Sequence, residues 1–293
     1  MGNEEVRLLT GADVKRWLPS RPENGHKGTF GHLLSVCGCY GMAGAAGFAA
    51  EAAYRCGTGL VTAAMPQSVY PLVTAAVPEA VCLPLLQDEN GGISAEAWSA
   101  VLPRLSGVSA VLIGCGLGKG AGADVVLTNV LKTAACPVLV DADGLNLLSA
   151  HKDRVETGAP LCLTPHPAEA ARLLHTTTAA VEADRVGAVR ALSAQYGAVA
   201  VLKGHETLIA AAGMPTLQNR TGNDTLAKGG SGDLLAGMIA GFAAQGLPLY
   251  EAAACGVYLH GLAGERAGAR LSRRGALARD VLAELAHLLS EFE

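Results

Sequence analysis

Apolar residues follow two rhythms along this chain. Short continuous runs, the pattern of strands buried on both faces, alternate with longer stretches in which apolar positions return every three or four residues, the pattern of helices. The runs at 32–38, 60–65, 80–84, 110–113, 137–141 and 161–164 predict strands, and 198–210 predicts two short strands joined around Lys203–Thr207. Helices are predicted from the Gly41–Ala46 turn to about Arg55, and over 95–106, 122–134, 144–150, 167–175, 180–196, 232–245, 249–267 and 276–291. Strand and helix in regular alternation imply right-handed crossovers and a mostly parallel sheet covered on both faces, a three-layer α/β/α sandwich. Open sheets of this kind bind ligands at the carboxyl ends of their strands, so the residues that follow each run carry the candidate chemistry.

Composition narrows the picture. Half of the 293 residues are apolar but only 4% are aromatic, which suits small-residue helices packed closely on a parallel sheet. No charge run, Ser/Pro tract or low-complexity linker divides the chain, so residues 1–293 are read as one domain, with 1–21 as an N-terminal extension. A net charge of −4 argues against a nucleic-acid surface. The basic cluster Arg270, Arg273 and Arg274 is short. The eight cysteines include Cys37, Cys82, Cys115 and Cys162 within or beside strand-like runs, where a thiol packs as a small hydrophobe, so reduced cysteines are expected. There is no apolar run of membrane-spanning length and no hydrophobic N-terminal leader, and a soluble, cytoplasmic protein without a membrane partner is expected.

The stretch Gly222 to Gly237 organises the rest, because a glycine-rich loop there runs directly into a helix striped by Leu234, Leu235, Met238, Ile239 and Phe242. Gly229, Gly230 and Gly232 remove the side chains that would keep a phosphate from the backbone. Ser231 or Gly232 can start the helix, whose first N–H groups then open onto the loop as an anion site. Asp233 falls in that first turn. It can serve simply as a partner of the helix dipole. A phosphate cradle with a carboxylate beside it is also what phosphoryl transfer to a hydroxyl needs, donors for the transferring group and a base for the nucleophile.

Other strand ends add to this. Gly114-Cys-Gly-Leu-Gly118 falls short of the dinucleotide pattern because position 119 is Lys119, and of the Walker pattern because position 113 is Ile113. It remains a backbone that a ligand can approach. Asp141 and Asp143 can hold Mg²⁺ or its water shell, and Asp143 can equally cap the next short helix. His166, between two prolines, is presented from a rigid turn as a surface residue or a ligand contact. Lys203 ends a buried strand at a glycine and is a candidate for a phosphate or ribose contact.

Taken in order, Lys27-Gly-Thr-Phe-Gly-His32, Gly44-Ala-Ala46, Gly57-x-Gly59-Leu-Val61, Gly114-x-Gly-Leu-Gly118, Asp141-x-Asp-Gly-Leu-Asn146, Thr164-Pro-His-Pro-x-Glu169, Val201-Leu-Lys-Gly204 and the Gly222–Asp233 loop resemble the ADP-dependent NAD(P)H-hydrate dehydratases of the ribokinase-like superfamily. The resemblance spans about residues 22–290. It implies dehydration of the S-form of NAD(P)H hydrate at the expense of ADP, with Mg²⁺, by phosphorylation of the ring hydroxyl and loss of phosphate. It implies Asp233 as catalytic base, and Ala45, Gly116, His166 and Asp233 against the hydrate. Lys203, Gly204, His205, Glu206, Thr207 and Gly232 would hold the nucleotide, and Gly229, Gly230, Ser231 and Gly232 would form the anion hole. Asp143 would reach the metal through water. A homotetramer without an N-terminal epimerase domain is expected on the same ground. The chain departs from the pattern at Asp224-Thr225, where relatives often carry Pro-Gly, and at Ala43, where they carry Pro. The rival expectation is a ribokinase-like kinase of a vitamin precursor or sugar, which would use the same loop.

Overall fold

The structure, a computed structural model, describes residues 6–151 and 157–292; the first five residues of the expected extension lie outside them. The first half runs β1 (Val6–Leu8), α1 (Gly11–Trp17), β2 (His32–Val36), α2 (Ala43–Arg55), β3 (Leu60–Pro66), α3 (Tyr70–Ala76), β4 (Val81–Leu85), α4 (Trp98–Val101), β5 (Ala110–Ile113), α5 (Ala121–Thr133), β6 (Val138–Val140) and α6 (Asp143–Ala150). Then come β7 (Leu161–Leu163), α7 (Pro167–Leu173), α8 (Thr178–Ala183), α9 (Arg185–Tyr196), β8 (Val199–Leu202), β9 (Leu208–Ala210), β10 (Thr216–Gln218), α10 (Ser231–Ala244), α11 (Leu249–Leu271) and α12 (Ala278–Leu289).

The strands form one sheet in the order β1-β10-β9-β8-β7-β6-β5-β2-β3-β4. All neighbours are parallel except β9, which runs antiparallel to both β8 and β10. Successive side chains of a strand point to opposite faces, and here both faces are buried. Leu33, Leu112, Leu139 and Val201 join the core under α2, α10, α11 and α12. Leu34, Val111, Ile113, Val138 and Val140 join a second core under α5, α6, α7 and α9. This is the three-layer α/β/α sandwich that the alternation predicts. From β2 the chain proceeds outward through β3 and β4, then returns to place β5 on the other side of β2. The connections after β2 and β5 therefore diverge and leave a crevice at their carboxyl ends, where a ligand can enter.

Helix α10 is held more firmly than a surface helix. All its residues except Gly232 and Asp233 are buried. A Cβ at Gly237 would lie 2.3 Å from the Ala49 carbonyl oxygen, so α10 and α2 touch backbone to backbone. The two half-buried residues are at the helix start, which is held in place by the packing of the rest of α10.

Some elements differ from the expectation. The predicted helix 95–106 is a short α-helix between two 3₁₀ turns, because Pro103 cannot donate within a continuous helix. The predicted helix 180–196 is divided at Asp184, which accepts the Gly187 N–H at 2.8 Å and caps α9. The short segments β1, α1, α3 and β10 are not predicted. Part of the expected N-terminal extension thus supplies β1, which pairs with β10.

Candidate active site

The loop before α10 ends at Gly230, the N-cap, with φ of 90°. A Cβ there would meet the Phe48 ring at 2.7 Å, so both the left-handed backbone and the packing demand glycine. Ser231 N–H donates to the Lys228 carbonyl at 3.3 Å, and Leu234 N–H to that of Gly230 at 3.0 Å. The N–H groups of Gly232 and Asp233 lie in the first turn, where no earlier helical carbonyl can accept them. At Gly232 a Cβ would have only Lys203 Nζ within 4 Å, at 3.8 Å, so the space above this backbone is open. These features make an anion cradle. Of the expected quartet Gly229, Gly230, Ser231 and Gly232, the last two face the adjoining cleft, whereas Gly230 faces Phe48.

Asp233 projects from this turn toward Asp141, Asp143, Lys203 and Cys115, from the ends of β6, α6, β8 and β5. Burial, reinforced by the Asp141 charge and only partly offset by Lys203, pushes its carboxyl up to about 6. Asp141 is itself buried, and its Oδ1 accepts from Thr164 Oγ1 and from Lys203 Nζ, both at 2.7 Å. Its Oδ2 accepts from the Cys115 thiol at 3.6 Å. Burial works against the Lys203 charge, but Asp141 and then Glu169, 3.9 Å away, outweigh it and hold the ammonium above its ordinary range. Asp141, expected among the magnesium-facing acids, is therefore the counter-ion of Lys203. Left-handed Ala142, with φ of 49°, separates it from Asp143. Asp143 does not cap α6; Ala142 is the cap residue, and the Asp143 carboxylate accepts the Gly118 N–H at 3.0 Å and stands 3.9 Å from Lys119.

On the other side of the helix start, a cleft of about 630 Å³ extends between the β8–β9 turn and α11, a size that takes a nucleotide. Lys203, Gly204, His205, Glu206, Thr207 and Gly232 all line it, as do Asn219, Asp224, Lys228 and His260. Glu206 adopts φ of 58° and is held by Gln218 Nε2 at 2.7 Å and Arg220 Nε at 3.3 Å. His166 also lines this cleft. Its Nδ1 accepts the Ala168 N–H at 3.1 Å and so caps α7, while Glu169 returns the bond by accepting the His166 N–H at 2.8 Å. Burial and then Lys203 lower its basicity, which keeps Nδ1 available as the cap's acceptor. Ala45 and Gly116 meet on the crevice side, where a Cβ at Gly116 would be 2.8 Å from that of Ala45.

Two participants were not legible as such. His260 lies buried in α11 with Nε2 3.2 Å from Ser231 Oγ, and burial lowers its basicity to about 4, so it is neutral. Its signal was a single imidazole among the apolar and small residues of a long helix. Glu169 is buried beneath Lys203, and burial raises its carboxyl despite Lys203 and the His166 N–H.

The donor set also bears on metal binding. Cys115, Asp141 and Asp233 each offer an atom within 4.8 Å of the others. This trio does not suit Mg²⁺, which takes oxygen ligands in near-octahedral geometry. The Cys115 thiol, engaged by Cys37 and buried, is held well above its ordinary range and stays protonated, and Asp141 is already occupied by Lys203. The half-buried Asp143 carboxylate beside them does fit a cation held through water.

Residues 33–287 match the NAD(P)H-hydrate dehydratase family. The chain is 44% identical over 263 residues to the ADP-dependent (S)-NAD(P)H-hydrate dehydratase of Neisseria meningitidis, covering 88% of this chain and 84% of that one. It is 42% identical over 289 residues to the bifunctional NAD(P)H-hydrate repair enzyme Nnr of Moorella thermoacetica, covering 98% of this chain but 54% of the relative. The chain thus spans about half the length of the bifunctional enzymes it resembles. Among solved structures, the ADP/ATP-dependent NAD(P)H-hydrate dehydratase of Bacillus subtilis, co-crystallised with ATP and Mg²⁺, superposes with a TM-score of 0.84 at 32% identity, covering 98% of this chain and 99% of that one. The three-layer arrangement is the ribokinase-like fold. With its sheet, its Gly-Asp helix start and a match to one family from residue 33 to residue 287, the chain belongs to the NAD(P)H-hydrate dehydratases.

Proposed function

We propose that this chain catalyses the ADP-dependent dehydration of the S-form of NAD(P)H hydrate to NAD(P)H, releasing AMP and phosphate. The observation that carries the reading is Asp233, a carboxylate poised near neutrality at a helix start that opens on one side to the Lys203–Thr207 cleft. ADP occupies that cleft, with Lys203, Gly204, His205, Glu206, Thr207 and Gly232 around it. The first N–H groups of α10 receive the transferring phosphoryl group, at Ser231 and Gly232 foremost, with Gly229 and Gly230 shaping the loop. The hydrate enters the crevice against Ala45 and Gly116, with His166 at its margin.

The chemistry then follows from the groups present. Asp233 takes the proton of the ring hydroxyl as its oxygen attacks the β-phosphorus of ADP, and the P–O bond to AMP breaks. The phosphorylated carbon lies next to the ring nitrogen, whose lone pair expels phosphate by C–O cleavage. Loss of a proton from the neighbouring carbon restores the ring double bond. Magnesium, when bound, would neutralise charge on the phosphate oxygens, with Asp143 reaching it through water. Lys203 remains paired to Asp141 while its other protons face the cleft.

Incubation of the purified chain with the hydrate, ADP and Mg²⁺ tests this. The near-ultraviolet absorbance of reduced nicotinamide should return while AMP and free phosphate appear in equal amounts. Phosphate retained on an organic product, or an inert hydrate alongside phosphorylation of a vitamin alcohol or sugar, would replace this reading by that of a kinase. By likeness to its family the chain works as a homotetramer in the cytoplasm, and light scattering checks the assembly.

A further inference from the structure

Helix α11 places His260 among the buried Cys255, Gly256, Val257, Leu259, Gly261 and Ala263. An apolar side chain would fill this slot without the desolvation cost of an imidazole. The ring is also fixed in place by its helix. A Cβ at Gly256 would lie 2.6 Å from Ile239 Cγ1, and one at Gly261 would lie 2.2 Å from Thr221 Oγ1, so α11 is pressed against both α10 and the chain that follows β10. His260 Nε2 thereby comes to 3.2 Å from Ser231 Oγ, and both residues are buried. Both nevertheless line the nucleotide cleft, together with Gly232 and Lys203.

Ser231 N–H already donates to the Lys228 carbonyl at 3.3 Å, so what this residue can add to the anion cradle at full strength is its hydroxyl. A hydroxyl and a neutral imidazole each carry one proton, and the pair therefore has two arrangements. Where Oγ–H donates to Nε2, the hydroxyl turns only lone pairs toward the cleft and repels an anion. Where Nε2–H donates to Oγ, the hydroxyl proton is free to point at one. The charge of a phosphate in the cradle selects the second arrangement. We propose that His260 is a positioning residue for the Ser231 hydroxyl: Nε2–H donates to Ser231 Oγ, and the hydroxyl proton is thereby presented to the β-phosphate of ADP as a further donor of the cradle, beside the backbone N–H of Gly232. The pair moves no proton during turnover. It fixes the direction in which one points before the phosphoryl group arrives, which is what makes a donor effective in a site from which water is excluded.

The inference rests on ADP lying in this cleft, and its test separates the two. By calorimetry, Ser231→Ala should weaken ADP binding about tenfold and leave the affinity for AMP, which has no β-phosphate, unchanged; kcat should fall about tenfold to a hundredfold. A merely structural role would weaken both nucleotides alike, and equal losses for ADP and AMP, or no loss for ADP, overturn the proposal. His260→Leu should show the same selective loss at about three- to tenfold. His260→Gln, whose amide N–H can stand where Nε2–H stood, should restore it. Adding His260→Leu to Ser231→Ala should cost nothing further, and additive losses overturn the proposal. One measurement needs no variant to fold. With isotopically labelled histidine nitrogens in the unsubstituted chain and ADP bound, the ring that contacts Ser231 should be the Nε2–H tautomer by NMR; the Nδ1–H tautomer overturns the proposal. If ADP binds with this dependence on Ser231 and the hydrate is left untouched, the dehydratase reading fails and the role of His260 stands. A chain that binds neither nucleotide removes both.

Discussion

Replacing Asp233 by asparagine should abolish turnover and at the same time stabilise the fold. The burial that makes Asp233 a base at neutral pH also makes it a cost. Its carboxyl rises from 3.8 to about 6 on folding, which corresponds to about 3 kcal/mol against the folded state once the group is ionised, before allowing for its partial exposure. The sign follows from proton counting. Between the unfolded and folded values the native chain binds more protons than the unfolded chain, so this group's contribution to stability falls as pH rises through that window and levels off above about 6. Asparagine keeps the shape and cannot ionise. The stability difference between variant and parent should therefore grow by about 1 kcal/mol from pH 5 to pH 8 and favour the variant throughout. Urea unfolding of both chains at several pH values measures it, and other carboxylates cancel in the difference. Turnover should drop on the order of 100-fold or more while ADP still binds. A variant less stable than the parent at pH 8, or a difference independent of pH, would refute the idea that Asp233 is held in the folded chain against its own ionisation.

The remaining expectations concern the same site. Because the base acts ionised, kcat/KM should fall about tenfold per pH unit below about 6, far above the range of an exposed carboxylate; a flat profile down to pH 5 would contradict this. Lys203→Ala should weaken ADP binding by calorimetry and cost about 3 kcal/mol of stability, since it strands buried Asp141. Adding Asp141→Asn to Lys203→Met should recover the stability and not the affinity, and recovery of both would remove Lys203 from the nucleotide site. Gly232→Val fills the open space beside Lys203 Nζ, so ADP affinity should fall by about tenfold or more with little change in unfolding midpoint; unchanged affinity would mean that the phosphates lie elsewhere.

The layers and most strands of this protein are legible in its sequence because they depend on local rhythm: runs such as Leu161–Leu163 can be little else when both sheet faces are covered. Segments without room for a rhythm are not. β1 and β10 mix polar and apolar residues over three positions each and are strands through their neighbours, β1 pairing with β10 and β10 also with β9. The same division runs through the site. Gly230, Gly232 and Asp233 could be picked out because loop, helix start and acid are contiguous, and the Lys203–Thr207 turn because its two strands flank it. The roles of Asp141 and Cys115 could not, since each depends on partners that only the sheet order brings together. Asp141 reads locally as half of an acidic pair with Asp143, yet Ala142 turns the two apart and β8, two strands from β6, delivers the lysine that neutralises one of them. Cys115 reads as a small hydrophobe, and by volume it is one. It acquires a polar role because β5 lies next to β2 on one side and β6 on the other, setting the thiol between Cys37 and the two aspartates. The electrostatics of the base is thus partly a property of strand order: burial raises the Asp233 carboxyl first, and Asp141 and Lys203, which the order of β6 and β8 brings beside it, respectively add to that rise and offset it.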